Sequence, residues 1–414
     1  MLFPESTRVF VSFFVFGLLN NILYVVILSA AIDLVGSSTP KAVVLLADII
    51  PSFTIKLTAP FFVHLLPYQT RIWLLVGLSS VGMLVISLSH AIPLKIVGIA
   101  LASLSSGLGE STFLQLTHFY REEWAIGGFS SGTGGAGLFG SFLFMFMTNV
   151  LGMKVWVVLF LFSVAPFGFI GVFYGALPKP EASSGFPGLD LERPSSSYQF
   201  IGSDPDISAE EEAASGSITT TAHVMATINK IKPLVLPYMV PLSSVYISEY
   251  VINQGISPTL LFPLEDLPRW LFSSYRDIYV VYGFLYQLGV FVSRSSVNFG
   301  IRIKNLYWLS ALQFFNVLIT LCQSTYDVPF SLIWLLLVLV FYEGLLGGFL
   351  YINTFMSVSE EVPLSRREFS MGAVSISDSF GVVMAGCINW WLEAKLCGWQ
   401  VQRGRDWCRY GGTA

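Results

Sequence analysis

About eleven stretches of roughly twenty mainly apolar residues, set almost end to end, constrain this chain more than any other feature. They fall near 9–32, 42–66, 72–90, 94–118, 129–150, 154–177, 234–256, 276–297, 305–323, 329–354 and 370–394. A segment of that kind crosses a bilayer as a helix, because hydrocarbon offers no partner to an open backbone amide. The expected fold is an all-α polytopic membrane protein of about eleven transmembrane helices. Charge supports this: 12% of the 414 residues are charged, against about 25% in a soluble domain, too few to cover a soluble surface. The lipid bilayer is therefore the first expected partner. A net charge of −4 points to no nucleic-acid partner.

Val9–Ala31 reads as the first span, since a secretory signal has an apolar core of only about 7–15 residues; a cleaved signal is the alternative. Between the sixth and seventh spans, residues 178–232 are rich in Ser, Pro, Gly and acid, including Glu210, Glu211 and Glu212. Such a composition buries too little apolar area to order itself, so a disordered cytosolic linker is expected there. It separates a six-helix half, 1–177, from a half of about five helices, 233–396, with a tail at 397–414. Even-numbered loops carry nine basic residues (Arg71, Arg121, Lys179, Lys230, Lys232, Arg302, Lys304, Arg366, Arg367). Odd-numbered loops carry five (Lys41, Lys95, Lys154, Arg269, Arg276). The excess places the even loops, the N-terminus and the linker in the cytosol. An odd span count then places the C-terminus on the far side, while Arg403, Arg405 and Arg409 of the tail pull the other way.

The two halves resemble each other. Glu110 lies among small residues in the fourth span and Glu343 in the tenth. Lys56 corresponds to Arg294, and Asn20-Asn21 to Asn253-Gln254. Each glutamate-bearing span leads into a charged loop (Arg121-Glu122-Glu123; Arg366-Arg367-Glu368) and then a helix rich in small polar residues. This is the repeat plan of major-facilitator-like transporters, with two pseudo-repeated halves. Ionisable groups within a bilayer are costly and persist when paired or when they face a polar cavity. Here they are Asp48, Lys56, Glu110, Glu249, Arg294, Glu343 and Asp378. Two readings stand side by side: a substrate or proton pathway, or structural ion pairs that fix helix registry. A glutamate desolvated among small residues is the kind of group a proton-coupled site uses. Arg294 suits a bidentate anion and Lys56 a point contact, although Arg294, in the last turn of its helix, can also snorkel to the interface. The expected pathway residues are Asn21, Lys56, Glu110, Glu249, Asn253, Gln254, Arg294, Glu343 and Asp378.

Other motifs carry less. The run Ser131–Gly137 lacks the Lys of a phosphate loop and is expected to open the fifth helix, where its amides could meet an anion. His64, His90, His118 and His223 form no catalytic or metal-binding spacing, and nothing in the chain calls for a metal or cofactor. Tyr198 and Ile201 fit a tyrosine-based sorting signal. The four Cys are expected as free or buried thiols, Cys397 and Cys408 pairing only if the tail faces an oxidising lumen.

Several blocks resemble the battenin family of lysosomal and fungal vacuolar membrane proteins. They include Gly17-Leu-Leu-Asn-Asn21, Gly109-Glu-Ser-Thr-Phe-Leu114, Ser130-Ser-Gly-Thr-Gly-Gly-Ala-Gly-Leu138 and Glu249-Tyr-Val-Ile-Asn-Gln-Gly255. Further on come Gly289–Ser296, Tyr342–Gly348, Tyr351–Phe355 and Ile376-Ser-Asp378. They run in order over nearly the whole chain; the linker does not match. The resemblance implies a major-facilitator-like fold in the vacuolar membrane and a role in vacuolar pH balance. It also implies transport of basic amino acids such as arginine, or clearance of glycerophosphodiesters, and it marks Glu249, Arg294 and Asp378 as sensitive positions. One departure is clear: Cys397-Gly-Trp-Gln400 is followed by fourteen residues, so it is no prenylation box. The leading expectation is a transporter of small charged solutes, with protons involved, whose Glu110, Arg294 and Glu343 face one cavity. The rival is a non-transporting regulator acting on a vacuolar proton pump or trafficking proteins. An enzyme finds no catalytic constellation.

Overall fold

Apolar side chains cover the outside of this molecule as well as its inside. Trp390, Trp391, Trp308, Phe299, Val338 and Leu236 are all exposed, as helices in lipid require. A computed structural model of the chain describes residues 4–30, 34, 42–179, 220–269, 271–272, 274–405 and 407–410. The described residues form helices and their connections, with no strand. Nine helical stretches among them are long and apolar enough to cross a membrane. All eleven expected segments are helical. The two outside the nine are the Gly- and Ser-rich fifth and the amphipathic eighth.

The first compact unit comprises residues 1–239 and 355–376. Its helices are α1 (Glu5–Ser29), α2 (Ala42–Phe62), α3 (Tyr68–Leu88), α4 (Ile92–Leu116), α5 (Glu122–Met145), α6 (Val155–Phe162), α7 (Phe167–Ile170) and α8 (Thr220–Leu234). Helix α1 lies along α5, and α4 packs on α2 and α3. The α1–α5 crossing depends on glycine: a Cβ on Gly132 would lie within 3 Å of the backbone of Phe14 and Leu18, so only a bare Cα lets the two backbones meet. Phe16 and Phe113 stack at 4.5 Å in the middle of this unit, with Phe169 beside them.

The second unit comprises residues 240–354 and 377–414. It contains α9 (Val240–Tyr250), α10 (Tyr275–Arg294), α11 (Leu306–Tyr326), most of α12 (Ile333–Glu361), α14 (Ile376–Gln402) and the short α15 (Trp407–Tyr410). Helix α13 (Leu364–Val374) belongs to the first unit and packs on α4. Gly289 and Gly344 make the α10–α12 crossing as close as that of α1 and α5. Several helices carry a π turn, among them α5 (Phe146–Val150), α8 (Val235–Met239) and α9 (Val251–Ile256).

Several expectations move. Helix α8 begins at Thr220, inside the expected linker, because Val224, Met225, Ile228 and Ile231 give that stretch an apolar face. Helix α5 begins at Glu122, so Ser131–Gly137 lies in mid-helix with no start amides to offer an anion. Arg71 is not a loop charge: it is fully buried, donating to Leu66 O, Val63 O and Gln115 Oε1. Cys397 and Cys408 are joined in a disulfide, while Cys322 and Cys387 are free. Tyr198 and Ile201 lie outside the described residues.

Candidate functional site

Each unit holds its own buried polar cluster. In the first, α2 carries Lys56 and α4 carries Glu110. Lys56 Nζ donates to Glu110 Oε2 at 2.5 Å, with both side chains almost wholly buried. Two desolvated charges are tolerable when so paired, and loss of either partner removes that compensation in a low dielectric.

Nearby, α2 runs on through Pro51, which has no N–H, and the next amide, Ser52 N–H, donates to Ser103 Oγ at 3.0 Å. The Ser103 hydroxyl in turn donates to Asp48 O. One hydroxyl from α4 thus bonds the α2 backbone at both Asp48 and Ser52. Asn20, on α1, is buried and donates to Ser106 O at 3.1 Å. Asn21, the neighbour chosen from the sequence, is half-buried and makes no side-chain hydrogen bond among the described residues.

In the second unit, Glu249 on α9, Arg294 on α10 and Glu343 on α12 come together through shared partners. Asn253 sits on the π turn that ends α9, and its amide donates to Glu249 O and to Glu343 Oε1, both at 3.0 Å. The π turn carries Asn253 where a regular helix would not. Glu249 and Glu343 are 3% and 2% exposed and close enough to act on each other electrostatically. Glu249 Oε2 accepts no hydrogen bond among the described residues. Its carboxylate lies against Gly347, where a Cβ would approach its atoms at 2.7–2.8 Å.

Arg294 does not snorkel outward. It donates to Tyr246 Oη at 2.8 Å, lies 4.0 Å over the Tyr351 ring, and its charge acts on Glu249. Lys56 and Arg294, matched on sequence, are therefore used differently: one grips a glutamate directly, the other is seated on two tyrosines. Asp378 stands in the first turn of α14, and its carboxylate accepts from Ser379 N, a stabilising place for an anion at a helix start. Gln254 is half-buried and makes no side-chain hydrogen bond among the described residues. Asn20 was noted beside Asn21 in the comparison of halves but not placed in the pathway; Tyr246, Tyr351 and Gly347 were not chosen as site residues, since aromatic and small residues are too common in apolar helices to stand out.

Residues 11–399 match a family model described as CLN3 protein. The chain belongs to the CLN3 protein family. Curated relatives in this family agree end to end. Protein BTN1 of Debaryomyces hansenii is 68% identical over the full length of both chains, that of Candida albicans 64% over 99% of each. That of Saccharomyces cerevisiae is 45% identical over 98% of this chain and 99% of its own. Among solved structures, the human organic anion transporter MFSD10 aligns with a TM-score of 0.58 at 13% identity, covering 99% of this chain and 98% of its own. A bacterial homologue of the iron transporter ferroportin gives 0.59 at 13%, with the same coverages. Both likenesses concern the fold, which is that of major-facilitator transporters. This CLN3-family chain is thus a multi-pass membrane protein of transporter-like architecture.

Proposed function

We propose that the protein is a vacuolar-membrane transporter that moves a small charged solute by alternating access and so contributes to vacuolar pH homeostasis. The solute class is a basic amino acid such as arginine, or a glycerophosphodiester. The observation that carries this reading is the second unit's cluster: two buried carboxylates, one with an oxygen left without a partner, beside an arginine seated on tyrosines. A guanidinium or ammonium group suits Glu249 and Glu343; a phosphodiester suits Arg294. Family membership, with relatives curated as BTN1 across fungi, supports the vacuolar location, and the transporter-like fold supports the mechanism.

Flux into proteoliposomes tests it, comparing arginine with glycerophosphodiesters under several pH gradients. The expected result is saturable flux of one class, strongly reduced by Glu249→Gln. Intact protein that moves neither class would sink the proposal. If pH dependence survives unchanged in both Glu343→Gln and Glu110→Gln, neither glutamate carries the proton.

One observation favours the rival regulator, which would act through a vacuolar proton pump or trafficking proteins. The Lys56–Glu110 pair is buried and joined at 2.5 Å, as a purely structural pair would be. In that case flux is absent, and the protein is recovered with such partners.

A further inference from the structure

Asp48 is the one buried ionisable residue of α2 that the mechanism above leaves unused. It is 3% exposed, and its Oδ2 accepts no hydrogen bond among the described residues. Lys56 is no partner for it, being eight residues away, about 12 Å along the helix, and held by Glu110. Beside Asp48 lies a cavity of about 10 Å³, room for about one water-sized occupant. It is walled by α1, α2, α3, α4 and α7, all within the first unit.

The lining is rich in oxygen for so apolar a setting. Asn20, Tyr24, Ser79, Ser105 and Ser106 share it with Asp48. Ser79 Oγ donates to Ser105 Oγ at 2.6 Å, and Ser105 Oγ donates to Leu75 O at 2.9 Å. These donations use up the hydroxyl protons and leave lone pairs. One N–H of the Asn20 amide goes to Ser106 O, and its carbonyl oxygen is a further acceptor. The side chains around the cavity therefore offer acceptors more than donors.

A buried carboxylate must be neutralised. Oδ2 meets no hydrogen-bond donor among the described residues. Instead there is a space for one occupant ringed by hard oxygens, the donor set of hard cations. One carboxylate balances one positive charge, whereas divalent ions gather several carboxylates or keep their waters. The Ser103 hydroxyl bonds the α2 backbone at Asp48 and Ser52 and so ties α4 to α2 beside the cavity.

We propose that Asp48 and the surrounding oxygens form a binding site for one small monovalent cation of sodium or lithium size. Binding is measured without transport, so the site stands or falls separately from the flux reading. The full-length protein, purified in detergent, is titrated with radioactive sodium, and its thermal unfolding is followed in sodium, lithium, potassium and choline chloride at equal ionic strength. The expected result is one sodium per chain and a Tm several degrees higher in sodium or lithium than in choline. Asp48→Asn should abolish both; Ser105→Ala, which keeps the carboxylate, should weaken sodium about tenfold. A water-filled cavity predicts no ion dependence in the wild-type protein, and that result overturns the proposal even if Asp48→Asn does not fold. Retention of sodium binding by a folded Asp48→Asn overturns it too, as does stabilisation by acid alone.

Discussion

At the scale of single residues, burial decides what each charge can do. Lys56 and Glu110 neutralise each other, so Lys56→Met should cost about 3–5 kcal/mol by stranding a carboxylate. Thermal unfolding in detergent should show Lys56→Met combined with Glu110→Leu recovering most of that loss; a double variant as unstable as the single would contradict the assignment. The carboxylate of Glu249 is confined by the absence of a side chain at Gly347. Gly347→Ala pushes a methyl into it, and an overpacking cost of about 1–3 kcal/mol is expected, with flux falling further than stability. Flux unchanged in that variant would mean that the position of Glu249 is not critical.

At the scale of elements, the spans were legible because hydrocarbon imposes length and hydropathy together, and every expected segment is a helix. How helices are tied together was less legible. Pro51, three residues after Asp48, is visible in the sequence, but the hydroxyl that bonds the α2 backbone there comes from Ser103 on another helix, which no local pattern reveals. The same limit applies to the sites. Glu249, Arg294 and Glu343 were visible as charges in apolar helices; the seating of Arg294 on Tyr246 and Tyr351 depends on packing between elements. Gly132 provides the close packing of α5 against α1. A leucine there has no space, so Gly132→Leu should abolish accumulation of folded protein, as judged by a monodisperse peak on fluorescence-detected gel filtration. A normal peak would place the α1–α5 contact elsewhere.

At the scale of the whole chain, charged ends matter more than charged spans. Within the first unit, Arg367 donates to Glu122 Oε1 at 2.7 Å, and Tyr68 donates to Glu368 Oε1 at 2.8 Å. The two charged stretches paired by sequence pattern, which begin α5 and α13, are thus joined by an ion pair. Loss of the Tyr68–Glu368 hydrogen bond should loosen this packing, so Tyr68→Phe should give faster thiol labelling of a cysteine placed there. The tail behaves differently. Arg403 and Arg405 both pair with Asp327, so their charges are partly spent and weigh less against a far-side C-terminus. The Cys397–Cys408 disulfide, of a kind that persists in oxidising compartments, should contribute about 2–4 kcal/mol. Cys408→Ser should lower Tm, and reduction should add two hydrogens' mass to the wild-type tail peptide alone. Trp399 and Gln400 bind the tail further, donating to Thr325 O, Thr259 O and Ser324 O. Proteases cut chain that can be drawn out into an extended strand, and a segment tied at this many points cannot be drawn out. On the lumenal side of a degradative organelle, the same clasp would act as armour.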